Sequence, residues 1–482
     1  MTLQCMQRLM TQTPKFHSLS FRALSISMRD NISPPKITTD SKLIPNYGGQ
    51  IPFKVSGSTG PFLVGNTLPI ESKSAPKVLI CNNAGYSSAT IGYNPRWVSE
   101  VTNNAFLENQ AMHISRAYHY APLEELAEKL SDLSEHVIYS PENGPIQFCP
   151  CLGGSDAVEA ALKLALKRGF EHGIPDGEQE VIFLKDPFHG RTRSVIGTGK
   201  DKEMFEGFAA QNKNFKECPI NDIEQLNQLV NPKTVAIIVE PVQGEPGVHE
   251  ISTDFAQLLR KKCNQEQTLL IADEVQTGFY RTGVHCFASE KIGLNPDIIV
   301  IAKALGGMVP LAGVLARADI AQTLSPGTHG STYAGNALSC RIALENLKQY
   351  EAIQLGKNMQ MIGDAIKNML NRHKETVHEI RDVRGPGAMI ALEMKTKGDA
   401  DRLVKKLFNA GMDLQLEITD AMIESPHNFF NLKPLLGMKI QGIGVKTTQG
   451  GKTLRITPAF MSDAQLEATI TMLEYALLNF NK

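Results

Sequence analysis

Residues 269 to 283 read Leu-Leu-Ile-Ala-Asp-Glu-Val-Gln-Thr-Gly-Phe-Tyr-Arg-Thr-Gly, and residues 296 to 307 read Pro-Asp-Ile-Ile-Val-Ile-Ala-Lys-Ala-Leu-Gly-Gly. Leu269 to Ala272 and Ile298 to Ile301 are short, dry, bounded runs, which predicts strands buried on both faces. The first delivers Asp273 and Glu274 at its carboxyl end, and the second ends in Lys303. In an open α/β sheet, ligands sit outside the carboxyl ends of the strands. Neighbouring strand ends would therefore place a carboxylate and an amine in one cleft. Burial there lowers a lysine pKa and favours the nucleophilic neutral amine. Two plainer readings stand beside this one: an acid leaving a dry strand caps the next helix, and the acid and the lysine form a buried ion pair.

Outward from this core, Ile298 to Ala316 is apolar apart from Lys303 and long enough to cross a bilayer. Gly306, Gly307 and Pro310 split it into two buried strands instead. Similar short runs occur at Ile146 to Cys149, Val181 to Leu184, Val235 to Val239 and Leu311 to Ala316. Amphipathic stretches such as Asp156 to Arg168 and Asp254 to Asn264 lie between them. The alternation predicts an α/β fold with a mostly parallel sheet covered on both faces. After about residue 340 the helical stretches lengthen (Ser339 to Tyr350, Leu355 to Arg372, Ala400 to Ala410, Asp463 to Leu478) and strands become sparse. The expected organisation is a tail over 1–45, a segment 46–110 that joins the small domain and the site, a large α/β domain over 111–340, and a small α+β domain over 341–482.

The chain has 482 residues with 49 basic and 50 acidic side chains, a net charge of -1. That balance excludes a strong global pull toward nucleic acid or anionic membrane and points to small molecules or other protein chains as partners. The eight cysteines are scattered. Cys149-Pro-Cys151 is too close for an ordinary zinc half-site and has no second half along the sequence, so no metal is expected and a reduced compartment is the simplest inference. No acidic residue precedes Asp30, while Arg8, Lys15, Arg22 and Arg29 recur every seventh position. This pattern is that of a mitochondrial presequence, or equally of an extension ahead of a start near Met28. No apolar core of secretory type is present, so the expected location is the cytoplasm or the mitochondrial matrix.

Two further motifs accompany the strand ends. Gly153-Gly154-Ser155-Asp156 follows the first strand of the α/β region and opens a helix, offering free backbone N–H groups and a positive dipole end to a phosphate. Phe188-His189-Gly190-Arg191-Thr192 offers a flat ring for stacking and a guanidinium for a carboxylate.

Taken together, Ile271 to Gly283, Pro296 to Gly307 and the run Gly327-Thr328-His329-Gly330-Ser331-Thr332-Tyr333-Ala334-Gly335-Asn336 resemble the class III, or ω-type, pyridoxal-phosphate aminotransferases of fold type I. The match runs from about residue 46 to the C-terminus. The resemblance implies pyridoxal 5'-phosphate as cofactor and Lys303 as the Schiff-base lysine. It implies Asp273 as the partner of the pyridine nitrogen, Phe188 and Val275 on the two ring faces, Gln276 as donor to the ring oxygen, and Gly154 and Ser155 in the phosphate turn. Ser331 and Thr332 match a segment that reaches the phosphate of a neighbouring subunit, which implies a homodimer with shared sites.

The resemblance also covers the substrate. Arg191 matches an arginine for the carboxylate distant from the reacting amine, Arg455 one for the carboxylate beside the reacting carbon, and Glu245 the switch partner that masks Arg455. Tyr47 and Tyr86 match pocket tyrosines of ornithine aminotransferases, whereas the Phe188 to Arg191 and Gly327 to Gly330 blocks read equally well as acetylornithine aminotransferase. The expected reaction moves the terminal amino group of ornithine or N-acetylornithine to 2-oxoglutarate, giving a semialdehyde and glutamate, with the free-ornithine version slightly ahead. Other ω-amino donors (4-aminobutyrate, diaminobutyrate, lysine), or a decarboxylase or aminomutase of the same fold, are the alternatives. The chain departs from the family pattern in its phosphate turn, where position 153 lacks the commoner serine hydroxyl. A second departure is an apparent insertion over 414–436.

Overall fold

The computed structural model describes residues 51–68, 75–139, 144–199, 205–208, 212–410, 440–448 and 450–481. The tail over 1–45, Tyr47 and the insertion over 414–436 lie outside the described residues.

The described chain opens with β1 (Phe53–Thr59), β2 (Phe62–Thr67) and β3 (Lys77–Cys81), an antiparallel set. The large sheet then takes β4 (Ile146–Cys151), β5 (Glu180–Leu184), β6 (Phe215–Cys218) and β7 (Thr234–Val239). A two-residue ribbon, β8 (Val242–Gln243) with β9 (His249–Glu250), precedes its remaining strands, β10 (Leu269–Asp273), β11 (Ile298–Ile301) and β12 (Ala312–Arg317). The seven strands run in the order β4-β12-β11-β10-β7-β5-β6. All neighbours pair in parallel except β12, which is antiparallel to both β11 and β4. The apolar window around Lys303 therefore forms two antiparallel strands. Among the described residues, no helix is long and apolar enough to cross a membrane.

Burial on both faces explains the uninterrupted apolar runs. Leu269 and Ile271 pack into one cluster with the helix Gly154–Glu171, while Leu270 and Ala272 pack into another with Phe255 and Leu259 of the helix Thr253–Glu266. Strand side chains alternate between faces, so a strand covered on both sides has no polar positions to show.

The C-terminal region carries more strands than the sequence suggests. β13 (Ile380–Arg384), β14 (Ile390–Met394), β16 (Lys446–Thr447) and β17 (Thr453–Ile456) form a second antiparallel sheet. β15 (Ile440–Gly444) instead pairs in parallel with β3. Ile380-Arg381-Asp382-Val383-Arg384 is rich in charge, and its short alternation is easily lost between the long helices Leu355–Lys374 and Lys397–Asn409.

The turn after β11 is where the fold fixes its central residue. Asp273 stands opposite Val300 in the β10/β11 register. The strand ends at Ile301 rather than at Lys303, which begins a single 3-10 turn with φ 43°. A left-handed lysine is strained and persists only where its surroundings over-determine it. Here Tyr350 donates to the Ala304 carbonyl at 2.6 Å, and Asn346 donates to the carbonyls of Leu305 and Gly306 at 3.3 and 3.2 Å. The Trp97 indole donates in turn to Asn346 at 2.9 Å.

Arg281, fully buried, ties three parts of the chain together. Its guanidinium donates to the carbonyls of Ala388 and Pro458 at 3.2 and 2.6 Å and to the Thr90 hydroxyl at 3.0 Å. Burial pulls its pKa down to about 10, so it stays charged at neutral pH. Replacing it by methionine keeps the volume and strands those acceptors. Arg281→Met is expected to cost about 2–5 kcal/mol in urea unfolding; a change below about 0.5 kcal/mol would show that this junction is held by other contacts.

Candidate active site

Beyond the carboxyl ends of β10 and β11 lies a cleft of about 430 Å³. Lys303 and Asp273 both line it, with Gly153, Gly154 and Ser155 on one side and Phe188, His189 and Val275 around them. The two adjacent acids have divided the functions weighed from sequence. Glu274 is 1% exposed and accepts from the backbone N–H groups of Ala288 and Ser289 at 3.1 and 2.7 Å, from the Ser289 hydroxyl at 2.7 Å and from Thr277. It caps the helix Ala288–Ile292. Asp273 turns into the cleft wall, where Oδ2 meets His189 Nδ1 at 2.7 Å and Oδ1 accepts from the Val275 N–H at 3.1 Å.

The plain ion pair between Asp273 and Lys303 does not form. Asp273 is engaged with His189, and among the described residues the Lys303 amine makes no ion pair or hydrogen bond, although its backbone carbonyl accepts from the Gly307 N–H at 2.8 Å. Desolvation lowers its pKa to about 8, helped by the positive charge of Arg455 and opposed by Glu245, Asp273 and Glu240. At pH 7 about one molecule in ten then carries the neutral amine, against fewer than about one in a thousand at the usual lysine value.

His189 and Glu240 are site residues that sequence reading missed. Burial alone would lower the His189 pKa, but its hydrogen bond to Asp273 and the charges of Asp273 and Glu240 outweigh that and raise it. Glu240 follows the end of β7 and accepts from the Phe188 N–H at 2.8 Å, fixing the backbone that presents the Phe188 ring. Burial raises its pKa to about 7. The rule that singles out Asp273, an acid just after a dry strand, applies equally to Glu240.

The glycine turn meets the requirements of an anion cradle. Gly153 is the N-cap of the helix Gly154–Glu171 and supplies no side-chain cap, so the first N–H groups are left for a ligand. A side chain at Gly154 would stand 3.0 Å from Val275 Cγ1, and one at Gly190 (φ 117°) would strike Ser155 Oγ at 2.4 Å. Only glycine keeps the wall this close to the helix start.

A second group gathers beside the cleft. Glu245, in the loop between β8 and β9, contacts Arg455 of β17 at 2.5 Å. Arg455 is 5% exposed and its guanidinium stands 5.6 Å from the Tyr86 ring centre, while Lys446 Nζ lies 5.9 Å from the same ring. Tyr86 itself has φ 57°. Arg191 is exposed, with its guanidinium 5.3 Å from the Phe188 ring centre. Gln276 is buried, its carboxamide oxygen lying where a Gly244 side chain would go, and it does not line the cleft. Ser331 and Thr332 are exposed and do not line it either.

The described residues fit the cofactor that the sequence resemblance implies. The uncapped helix start suits its phosphate, the carboxylate held by His189 suits a protonated ring nitrogen, and the amine with a lowered pKa suits an aldehyde carbon. Lys303 should therefore capture pyridoxal phosphate in cofactor-stripped protein at a rate that rises with pH and levels off above about 8. A rate already flat at pH 6, followed by the visible absorbance of the bound cofactor, would contradict the lowered pKa.

The chain is similar to known proteins over most of its length. The family described as Aminotransferase class-III matches residues 77–477. Ornithine aminotransferase 1 of Staphylococcus aureus is 36% identical over 332 residues, covering 68% of this chain and 80% of its own. Acetylornithine aminotransferase of Oceanobacillus iheyensis is 33% identical over 319 residues, covering 66% and 76%. The crystal structure of ornithine aminotransferase from Toxoplasma gondii superposes with a TM-score of 0.75 at 25% identity, covering 91% of this chain and 93% of that one.

Proposed function

The chain belongs to the class-III aminotransferases and is a pyridoxal-phosphate-dependent transaminase; from that premise we propose that it moves the terminal amino group of ornithine or N-acetylornithine to 2-oxoglutarate, releasing a semialdehyde and glutamate. The observation that carries the choice of donor is the closed Glu245–Arg455 pair at 2.5 Å beside Tyr86. With Arg455 masked, an amine with no carboxylate on its own carbon meets no unpaired guanidinium. A 2-oxo acid brings a carboxylate that competes for Arg455, and Glu245 gives way.

When bound, the cofactor supplies a sink for the electrons left on the substrate carbon as its proton departs. The protein's residues do the rest. Lys303, its pKa lowered to about 8 by its dry surroundings, takes the proton from that carbon and returns it elsewhere as general base and then acid. Asp273, oriented by its 2.7 Å contact with His189, would hold a proton at the ring nitrogen. Phe188 and Val275 would flank the ring, and the N–H groups at Gly154 and Ser155 would hold the phosphate. Arg191 fixes the far carboxylate of the donor, which places the terminal amine rather than the α-amine near Lys303. Ser331 and Thr332, exposed on the single chain, complete the site of a second copy in a homodimer.

A half-reaction screen tests the donor directly. Ornithine, acetylornithine, 4-aminobutyrate, lysine and diaminobutyrate are each mixed with the holoenzyme while the cofactor's visible absorbance is followed. One of the first two should react fastest; a clear preference for any other, or release of carbon dioxide, would overturn the assignment. Glu245→Gln should leave Arg455 unmasked and shift the ratio of kcat/KM values toward donors with a carboxylate on the reacting carbon by about tenfold or more.

A further inference from the structure

We propose that Cys149, Cys151 and His329 form a binding site for a thiophilic divalent cation of the zinc class. Cys149 and Cys151 stand two residues apart on β4, so both side chains leave the same face of the strand. The second half that the linear sequence lacks is supplied by the fold. His329, far along the chain, brings Nε2 to 3.8 Å from Cys151 Sγ. One ligand atom from each of the three residues lies within 4.8 Å of the other two.

These separations suit a tetrahedral ion. Bonds of about 2.3 Å to sulfur and about 2.0 Å to nitrogen require S···N edges of about 3.6 Å and S···S edges of about 3.8 Å. The Cys151–His329 edge is nearly there already. Closing the others takes no more than about 1 Å of side-chain movement. Both cysteines are free thiols. Two sulfurs and an imidazole favour zinc or cadmium over magnesium or calcium.

Access and charge are also provided for. Cys149 and His329 line a cavity of about 250 Å³ with Arg116, separate from the main cleft, which gives an entry path and room for a water or an anion as fourth ligand. Lys163 Nζ lies 3.3 Å from His329 Nδ1 and donates to the Thr328 carbonyl at 2.5 Å. A cation on Nε2 requires the imidazole proton on Nδ1, so Lys163 gives up the ring and keeps the carbonyl. Two thiol protons pass to solvent, two thiolates neutralise the divalent charge, and no electron changes hands.

The site has a defined consequence for the fold. Cys151 ends the strand that leads into the Gly153–Gly154 turn, and His329 precedes Ser331 and Thr332. An ion there ties the base of the anion cradle to the segment 327–332.

The test titrates the reduced, chelator-treated holoenzyme with cadmium and follows the ultraviolet sulfur-to-metal charge-transfer band, with zinc as competitor. One cadmium per chain, displaced by zinc, is expected. Cys149→Ser, Cys151→Ser and His329→Ala should each weaken binding by more than the roughly 10- to 100-fold that loss of an outer contact causes. Melting temperature and cofactor absorbance establish that each variant is folded. Should the buried Cys151 variant fail that check, the partly exposed Cys149 variant decides the question. Absence of the band, a band that survives in the Cys149→Ser/Cys151→Ser double variant, or a Cys149–Cys151 disulfide in the reduced protein would overturn the proposal.

Discussion

One amine, kept out of water but not paired, sets the terms for the rest of the molecule. A lysine in a dry cleft is unfavourable for the fold, because burial disfavours its charged form. A nearby carboxylate would relieve that cost, and Asp273 is the obvious candidate. The structure instead commits Asp273 to His189 at 2.7 Å and leaves Lys303 with a pKa of about 8. Its backbone lies in the left-handed region, held by hydrogen bonds from Tyr350 and Asn346 to the turn that follows. Strain and desolvation coincide at one residue, as expected where surrounding structure holds a functional group in readiness.

Charge around the cleft is organised locally rather than through the field of the whole protein. With a net charge of -1, the chain exerts little long-range attraction on a dicarboxylate. Arg455 is sequestered by Glu245 and flanked by Tyr86, while Arg191 stands exposed near Phe188. The proposed gate needs what the structure has here, a buried cation whose counter-charge sits on a loop. The same cation helps lower the Lys303 pKa, so masking or unmasking Arg455 also affects the amine.

Much of this was legible in the sequence because the physics was local. Runs such as Ile298 to Ile301 are apolar throughout because both faces of the sheet are covered, and the residues that follow such strands are those the sheet presents to a ligand. Asp273 and Lys303 could be found that way. Glu240 obeys the same rule, at the end of the dry strand Val235 to Val239. His189 was masked by the ring and guanidinium on either side of it. The split between Asp273 and Glu274 was not readable, since which acid caps a helix depends on the return of Ala288 and Ser289 to the strand end. The joining of β15 to β3 and the meeting of His329 with Cys149 and Cys151 are long-range closures that no local pattern records.

The most direct measurement is the position of the cofactor on the chain. Holoenzyme treated with borohydride, digested and analysed by mass spectrometry should carry a single phosphopyridoxyl group, on the peptide containing Lys303. A label on any other lysine, or no label on protein that retains transaminase activity, would contradict the central role given to this amine.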